Sequence, residues 1–205
     1  MKGEIKRKSL HLAAAVLPVV LIPIPPETAA VPLLLFALFN VLMDRYKTRL
    51  APLGRMYDFF FHDILRDHEK KGGLTGSTCF IVSLAFSHAL FCTWLSMPVL
   101  YLAVIYTGFM LGDAAAALAG KYVGRIVLYN GKTLEGSLAF VAVSFMSTIW
   151  MVPNRAGQVF LISLGLCVSE LVMVNLDDNL LAPLFITLVF YVTGGDSAFL
   201  SGAGP

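Results

Sequence analysis

The residues best suited to chemistry in this sequence are ionisable side chains that lie within or beside long apolar segments. Asp113, Lys121 and Arg125 are separated by multiples of four residues, so on a continuous helix they form one stripe. Asp113 lies well inside an apolar run, and an ionisable residue at membrane depth predicts a functional site. We predict that its carboxylate binds a divalent metal and that the two cations bind polyphosphate nearer the water. A structural ion pair between Asp113 and Lys121 is the alternative explanation.

A row of small residues runs beside this stripe. It repeats at every fourth position, which is the small-xxx-small pattern that lets two membrane helices approach closely. Packing against another helix therefore explains the row without any ligand. Its members are Gly108, Gly112, Ala116, Gly120 and Gly124.

The segment 130–137, Asn-Gly-Lys-Thr-Leu-Glu-Gly-Ser, looks like the end of a P-loop. It is not a P-loop, because the preceding glycine is too far from Gly131 and no strand precedes the segment. We predict a glycine-rich turn that enters a helix, where backbone N–H groups bind phosphate oxygens. Lys132 would supply a positive charge, and Thr133 or Ser137 would supply a hydroxyl ligand.

A second acidic group comprises Glu170, Asp177 and Asp178, with Asn179 directly after it. If a helix continues through this segment, Glu170 shares a face with Asp177 or Asp178. The connection contains no basic residue, and hard oxygen ligands suit Mg²⁺. The pattern therefore favours Mg²⁺ as the partner of these acids. A solvated turn is the alternative, and it explains Asp177 better than Glu170.

Near the amino terminus, Glu4, Lys8 and His11 fall on one helix face, and Arg7 lies beside them. His11 is about one turn inside the first apolar segment, where its ring needs a polar partner, and this favours a site. A positively charged membrane anchor is the alternative.

The charged segment 66–71 is followed by small hydroxyl residues, Thr75 and Ser77 among them. In one interpretation these hydroxyls contact phosphate or a cytosine base. In the other they cap the next helix. The sequence does not separate the two.

The composition predicts what must position these groups. Of the 205 residues, 58% are hydrophobic and 14% are charged, and the mean hydropathy is +0.78. A soluble domain could not bury so many apolar side chains, and a disordered chain would have the opposite composition. The cysteines, Cys79, Cys92 and Cys167, lie in apolar runs without the spacing of a disulfide scaffold or a zinc site.

We predict a single all-α, polytopic integral membrane domain over 1–205 with about seven transmembrane helices. The basic amino terminus precedes no small-residue cleavage site, so we assign the first segment to a helix of the mature protein. The predicted spans lie near 10–25, 28–43, 77–95, 97–119, 137–152, 157–175 and 179–194.

Charge gives the predicted orientation. With seven spans, every Lys and Arg except Arg155 falls on the side of the amino terminus. This asymmetry predicts a cytoplasmic amino terminus and an outside carboxyl terminus. All acidic residues except Glu27 and Asp196 lie on or near the same side, which the orientation rule does not explain.

Phosphoryl or nucleotidyl transfer requires groups that neutralise charge on the transferred phosphorus. Acids, cations and glycine-rich turns at one membrane face can supply them. The second reactant would enter sideways from the bilayer. The residues therefore predict a membrane-embedded enzyme that acts on a lipid, with its active site on the cytoplasmic face.

Taken in order, these motifs resemble the diacylglycerol/polyprenol kinase family, which includes dolichol and phytol kinases and is related to the phosphatidate cytidylyltransferases. The resemblance spans nearly the whole chain, and it is most specific from Asp113 to Ser137. The matching motifs are Glu4-x-x-Arg7-Lys8-x-x-His11, Leu74-Thr75-Gly76-Ser77-Thr78, Gly112-Asp113-x-x-Ala116-x-x-x-Gly120-x-x-x-Gly124-Arg125, Gly131-Lys132-Thr133-x-Glu135-Gly136-Ser137 and Glu170 with Asp178-Asn179.

The resemblance implies a Mg²⁺-requiring kinase that transfers the γ-phosphate of CTP to a lipid alcohol, such as a polyprenol, dolichol, phytol-type alcohol or diacylglycerol. The preference for CTP over ATP comes only from this resemblance. No nucleic-acid partner is expected. The sequence leaves open which lipid, which membrane and which oligomeric state apply.

The roles expected within such a kinase are specific. Asp113 and Asp178 hold Mg²⁺ on the CTP phosphates. Glu135 or Glu170 is either a further metal ligand or the base that accepts the alcohol proton, and His11 orients one of these groups. The cations expected to balance the triphosphate are Arg7, Lys8, Lys121, Arg125 and Lys132.

Two other functions remain open at this point. The sister reaction would transfer a cytidylyl group from CTP to a lipid phosphate, with attack at the α-phosphorus instead of the γ-phosphorus. A small ion or lipid transporter would use Asp113 and Glu170 as an ion path, and it predicts inverted repeats that the sequence does not show.

Overall fold

The computed structural model describes residues 9, 12–51, 54–55, 65, 67–173 and 177–194, without the side chains of residues 67 and 68. The fold is that of an all-α polytopic membrane protein, as the composition predicts. Within the described residues, five helical segments are long and apolar enough to cross a membrane. These segments are Pro26–Tyr46, Gly76–Trp94, Val99–Tyr122, Leu134–Met151 and Pro153–Val172.

We number the helices in chain order. The long segments include a π-helical continuation of α4, His88–Trp94, and two short 3₁₀ turns, Ile149–Met151 and Pro153–Arg155. The α-helices are α1 (Val16–Val20), α2 (Pro26–Tyr46), α3 (Asp67–Lys70), α4 (Gly76–Ser87), α5 (Val99–Tyr122), α6 (Leu134–Thr148), α7 (Ala156–Val172) and α8 (Asp178–Val192).

The first and last predicted spans are not among these five long segments. In the span predicted at 10–25, residues 12–14 and 16–20 are helical, the latter forming α1, and residues 10 and 11 lie outside the described part. The span predicted at 179–194 corresponds to α8, an apolar helix of 15 residues. The total of seven spans and the sides of the two termini therefore stay predictions. The aromatic segment 57–62, expected along the interface, lies outside the described residues.

Helix α5 lies at the centre of the bundle. Its first fourteen residues, 99–112, are apolar, aromatic or small on all sides, and nearly all of them are buried. A helix that is apolar all round is stable only when other helices surround it. Helices α1, α6, α7 and α8 pack against α5, and α2 packs on α4. The core therefore consists of aromatic and aliphatic side chains around α5, such as Tyr106, Phe109, Phe80 and Phe140.

The outer surface of the bundle is apolar where a bilayer would cover it. Helix α2 exposes large side chains that include Val31, Leu35 and Phe39. Contiguous exposed apolar surface of this kind marks contact with lipid. The two tryptophans, Trp94 and Trp150, are 80% and 83% exposed, and each ends a long segment at the same end of the bundle. Tryptophan at helix ends is typical of the membrane–water interface.

The middle of the Gly76–Trp94 segment holds a buried histidine. His88 begins the π-helical part, is fully buried, and has no hydrogen-bond partner at either ring nitrogen among the described residues. In contrast, the nearby hydroxyl of Tyr106 bonds to Ser83 and Ser87 at 2.8 and 2.7 Å. An unpaired buried imidazole costs stability, because the polar group loses water and gains no partner.

Candidate functional site

The small-residue row brings α6 directly against α5, as the sequence predicts. A Cβ atom added at Gly112 would lie 2.8 Å from the ring of Phe140, and one added at Gly108 would lie 2.7 Å from the Ser144 hydroxyl. One added at Gly136 would lie 3.0 Å from the Ala116 carbonyl. Larger side chains would force the helices apart. The small residues therefore act in packing, and they fix the end of α5 beside the start of α6.

The stripe of Asp113, Lys121 and Arg125 is interrupted in the structure. Helix α5 ends at Tyr122, and the N–H of Gly124 closes it by bonding to the Ala119 carbonyl at 3.1 Å. Arg125 therefore lies in the following loop and not on the helix, so the prediction of one continuous stripe was wrong at this residue. Gly124 ends the helix because its backbone packs on the Gly120 carbonyl and the Thr133 side chain, leaving no space for a Cβ atom.

The predicted glycine-rich turn is the tip of a short hairpin. Val127 and Thr133 form an antiparallel bridge, and Asn130 and Gly131 at the tip have φ values of 52° and 75°. Two consecutive positive φ values are typical of a type I′ turn, for which Asn-Gly is the preferred pair. A Cβ atom at Gly131 would meet nothing within 4 Å, so the backbone conformation alone requires glycine here.

The backbone N–H groups around this hairpin are already bonded. Lys132 N donates to the Tyr129 carbonyl, Leu134 N donates to the Ile126 carbonyl, and Gly136 N donates to the Thr133 hydroxyl, at 2.9–3.2 Å. These three N–H groups cannot also donate to phosphate oxygens unless those bonds break. Protein acceptors thus occupy these three groups in the structure, and phosphate binding by the turn stays a prediction. Thr133 caps α6, so folding explains this residue without a nucleotide.

Glu135 also stabilises the loop that follows α5. Each of its carboxylate oxygens accepts a hydrogen bond from the backbone N–H of Ile126 at 3.3 Å, and Arg125 lies within electrostatic range. The carboxylate thus ties the start of the loop to the first turn of α6. This geometry favours Glu170 over Glu135 as the chemically active acid. Ser137, one turn further along α6, is half-buried, and its carbonyl accepts a weak hydrogen bond from the Cys167 thiol.

Lys132 reaches from the hairpin to the end of α7. Its Nζ atom lies 2.8 Å from a carboxylate oxygen of Glu170 and also donates to the Glu170 backbone carbonyl. The Glu170 side chain is 8% exposed and that of Lys132 is 29% exposed. The two residues are far apart in sequence, so the structure joins the glycine-rich segment and the second acidic group in one site.

Two more carboxylates lie near Glu170. Asp113 from α5 and Asp178 from the start of α8 both act electrostatically on it. Asp113 is 9% exposed, and a carboxylate oxygen of Asp178 accepts from the N–H of Asn179 at 3.1 Å. The structure therefore brings two further predicted residues, Asp113 and Asp178, near the Glu170 carboxylate that Lys132 contacts. Within the described part of the chain, no three acidic, histidine or cysteine side chains are close enough to form a ready-made metal cluster.

The start of α8 lies against the start of α4. Asp177 caps α8 by accepting from the N–H of Asn179 at 3.0 Å, and it also interacts with Cys79. The side-chain amide of Asn179 lies 3.0 Å from where a Cβ atom of Gly76 would be. The capping role confirms the turn chemistry expected of Asp177, and the contact places α4 beside the three acids.

Thr75 is a helix cap and not an open hydroxyl. Its Oγ1 accepts from Thr78 N at 3.3 Å and donates to Asp44 at 3.0 Å, and its N–H donates to Asp44 at 2.7 Å. Of the two interpretations of this segment, the structure confirms helix capping for Thr75. Ser77 is exposed beside it, with the two hydroxyls 3.0 Å apart, and it stays a candidate contact for a nucleotide.

A buried ionic cluster beneath this segment was not predicted from the sequence. Asp44 and Lys47 pair at 3.0 Å, and their side chains are 0% and 3% exposed. Lys47 also donates to the Gly73 carbonyl, and Glu69 accepts from Gly76 N, both at 3.0 Å. Together these bonds fix the segment before α4 to the end of α2. The available signal was the close spacing of Asp44 and Lys47 at the end of an apolar span.

The remaining predicted cations lie on the same end of the bundle or outside the described residues. Lys121 and Arg125 are exposed at the end of α5 and in the loop after it. Arg7, Lys8 and His11 lie outside the described residues. The three cysteines are free thiols and buried.

Comparison with known proteins gives one distant relative. The chain is 26% identical over 196 residues to an uncharacterized protein of Rickettsia prowazekii (strain Madrid E), and the alignment covers 88% of this chain and 90% of that protein. No family model and no solved structure matches the chain.

Proposed function

We propose that this protein is a Mg²⁺-dependent kinase that transfers the γ-phosphate of CTP to the hydroxyl of a membrane lipid, as the resemblance to the diacylglycerol/polyprenol kinases implies. The observation that carries the proposal is the contact between Lys132 and Glu170 at one end of a membrane bundle, with the carboxylates of Asp113 and Asp178 in electrostatic range of Glu170. Such a mixture of acids and a cation suits a reaction in which charge develops on a transferred phosphoryl group.

Asp113 and Asp178 fit the requirements of a Mg²⁺ site. Mg²⁺ is commonly held by one or two carboxylates together with substrate phosphates and waters, so a complete cage of protein ligands is not needed. Carboxylates close to one another repel, and a divalent cation relieves that repulsion. When bound, the ion would neutralise charge on the phosphates.

Glu170 is the proposed base. In the reaction, the lipid hydroxyl oxygen forms a bond to the γ-phosphorus while the bond from that phosphorus to the bridging oxygen breaks, which leaves CDP. The hydroxyl proton passes to the Glu170 carboxylate, which Lys132 holds in place at 2.8 Å. The exposed cations Lys121 and Arg125 lie where a triphosphate would arrive from the water, and the exposed hydroxyl of Ser77 is a further candidate contact at the start of α4.

We place this site on the cytoplasmic face. Among the described residues, every Lys and Arg except Arg155 lies at the same end of the bundle as the three acids, whereas both tryptophans lie at the other end. Single cysteines at the exposed positions Lys71 and Tyr129, in a background without the natural cysteines, test this with an impermeant thiol reagent. Both should react only when the cytoplasmic side is open, and a control cysteine at Asn154 should react from outside.

The decisive experiment identifies the products. Purified protein is incubated with Mg²⁺ and either CTP or ATP labelled at the γ-phosphate, together with isoprenoid alcohols or diacylglycerol in one reaction and with the corresponding lipid phosphates in a parallel one. The proposal predicts a labelled lipid phosphate and release of CDP. A CDP-lipid with pyrophosphate, formed from a lipid phosphate, would establish the cytidylyltransferase instead. Ion flux into vesicles without any phosphorylated product would establish a transporter.

A further inference from the structure

A groove on the bilayer side of the bundle leads away from the three acids. It lies between α4, with its π-helical continuation, and α8, and its volume is about 290 Å³. Its lining is almost entirely apolar and includes Phe86, Leu90, Met173, Leu181, Leu184 and Leu188.

The upper end of this groove lies at the acids. Met173 comes directly after α7, less than one turn past Glu170, and Leu181 lies about 4.5 Å along α8 from Asp178. Leu188 lies about 10 Å deeper than Leu181 on the same helix. Because α4 and α8 start side by side, the groove runs from the level of the carboxylates towards the middle of the membrane.

The groove is open on its outer side. Phe86, Phe185 and Leu188 are 52%, 46% and 47% exposed, and they lie within the apolar part of their helices. A groove at this depth faces hydrocarbon, and its walls offer no group that could hold water. An acyl or isoprenoid chain therefore fits it, with any polar head at the upper end.

We propose that this groove holds the hydrocarbon chain of the lipid alcohol and thereby places its hydroxyl beside Glu170 and Asp178. The inference rests on the proposed kinase function. It assigns substrate selection by chain length to residues of α4 and α8, because a chain that fills the groove has its polar end where the phosphoryl group is transferred.

A second groove provides a matched control. Its volume is about 330 Å³, and on α5 it is lined by Leu111, Ala114, Ala115 and Leu118. These residues share one face of α5, whereas Asp113 projects from nearly the opposite face at 100° per residue. A chain in the second groove would have its hydroxyl on the wrong side of α5 for the acids.

The test compares the same Leu→Trp substitution in each of the two grooves. Leu188→Trp narrows the deep end of the first groove, and Leu118→Trp fills the second; these side chains are 47% and 41% exposed in the protein. Turnover with CTP is measured for geraniol, farnesol and geranylgeraniol. Leu188→Trp should lower kcat/KM for geranylgeraniol about tenfold relative to geraniol, since apolar pockets discriminate by roughly this factor for a methylene or two. Leu118→Trp should leave the ratio unchanged.

An unchanged ratio in Leu188→Trp, or a shifted ratio in Leu118→Trp, overturns the inference while the kinase proposal stands. If the wild-type protein phosphorylates no alcohol, the proposed function fails, and a photolabel still tests the groove. A diazirine analogue of geranylgeraniol should then label residues 86–91 and 181–188, and Leu188→Trp should reduce the labelling. Labelling spread evenly over exposed apolar residues such as those of α2 would show ordinary bilayer contact and refute the groove.

Discussion

The pair formed by Lys132 and Glu170 allows a quantitative test of the site. Replacing Lys132 by Met removes the positive charge but keeps most of the length and apolar volume of the side chain. Glu170 then stays buried near Asp113 and Asp178 without its 2.8 Å partner. We expect the variant to be less stable than the wild type, because an isolated charge in an apolar setting is strongly disfavoured.

The size of the effect follows from the distance and the exposure. Two unit charges 2.8 Å apart attract by about 6 kcal/mol at an effective dielectric constant of about 20. Desolvation offsets much of this gain. Breaking a fully buried pair costs about 3–5 kcal/mol, whereas exposed pairs contribute about 0–1 kcal/mol. Because Lys132 is 29% exposed and Glu170 only 8%, we expect Lys132→Met to lower the free energy of unfolding by about 2–3 kcal/mol.

The assay is a double-mutant cycle in detergent, with reversible unfolding followed by circular dichroism. Glu170→Gln removes the carboxylate charge and its repulsion with the other two acids, so alone it should change stability little. The double variant should recover most of the loss seen in Lys132→Met, giving a coupling energy of about 1.5–3 kcal/mol. Lys71→Met, at an exposed position, is the control for loss of a lysine. Additive effects within about 0.5 kcal/mol would refute an energetically coupled pair.

Three further predictions concern the chemistry and the fold. Asp113→Asn should abolish lipid phosphorylation while the protein stays folded, because an amide is a far weaker Mg²⁺ ligand than a carboxylate; near-normal turnover would exclude the metal role. Arg125→Ala should raise KM for CTP about tenfold and leave KM for the lipid alcohol unchanged, with Arg155→Ala as the control at the other end; an effect on the lipid alone would show that the nucleotide binds elsewhere. His88→Leu should raise the free energy of unfolding by about 1–3 kcal/mol and retain turnover, since it removes an unpaired buried imidazole; loss of activity in a folded variant would indicate a function for that ring.

Helix packing was largely predictable because it depends on local periodicity. The small-residue row from Gly108 to Gly120 identifies the face of α5 that α6 contacts, and the structure confirms it through close approaches to Ser144, Phe140 and Thr133. Periodicity could not indicate where α5 ends. The four-residue spacing continues to Arg125, and spacing alone does not reveal that Gly124 closes the helix before it.

The site was predictable as a set of residues but not as a set of pairs. Lys132 and Glu170 were each singled out, yet nothing in the sequence connects a hairpin after α5 to the end of α7. The buried contact of Asp44 was not predictable for a related reason. Its partner Thr75 follows a long polar connection, and the contact exists only because α2 and α4 pack side by side.

Six of the described acids form two groups of three, and the two groups differ in how their carboxylates contribute to folding. Asp44, Glu69 and Glu135 each accept backbone N–H groups and fix a loop to a helix, so their carboxylates serve the fold directly. Asp113, Glu170 and Asp178 come from three helices; the first and last act electrostatically on Glu170, which pairs with Lys132.

An arrangement of this kind is unfavourable for stability, since a buried ion pair is often replaceable by well-packed apolar side chains at no cost. Residues that lower stability are expected at functional sites, where activity requires them. The second group is therefore the one whose presence calls for a chemical explanation. It lies at the end of the bundle where most of the described Lys and Arg residues also lie, which is the arrangement that the proposed phosphoryl transfer requires.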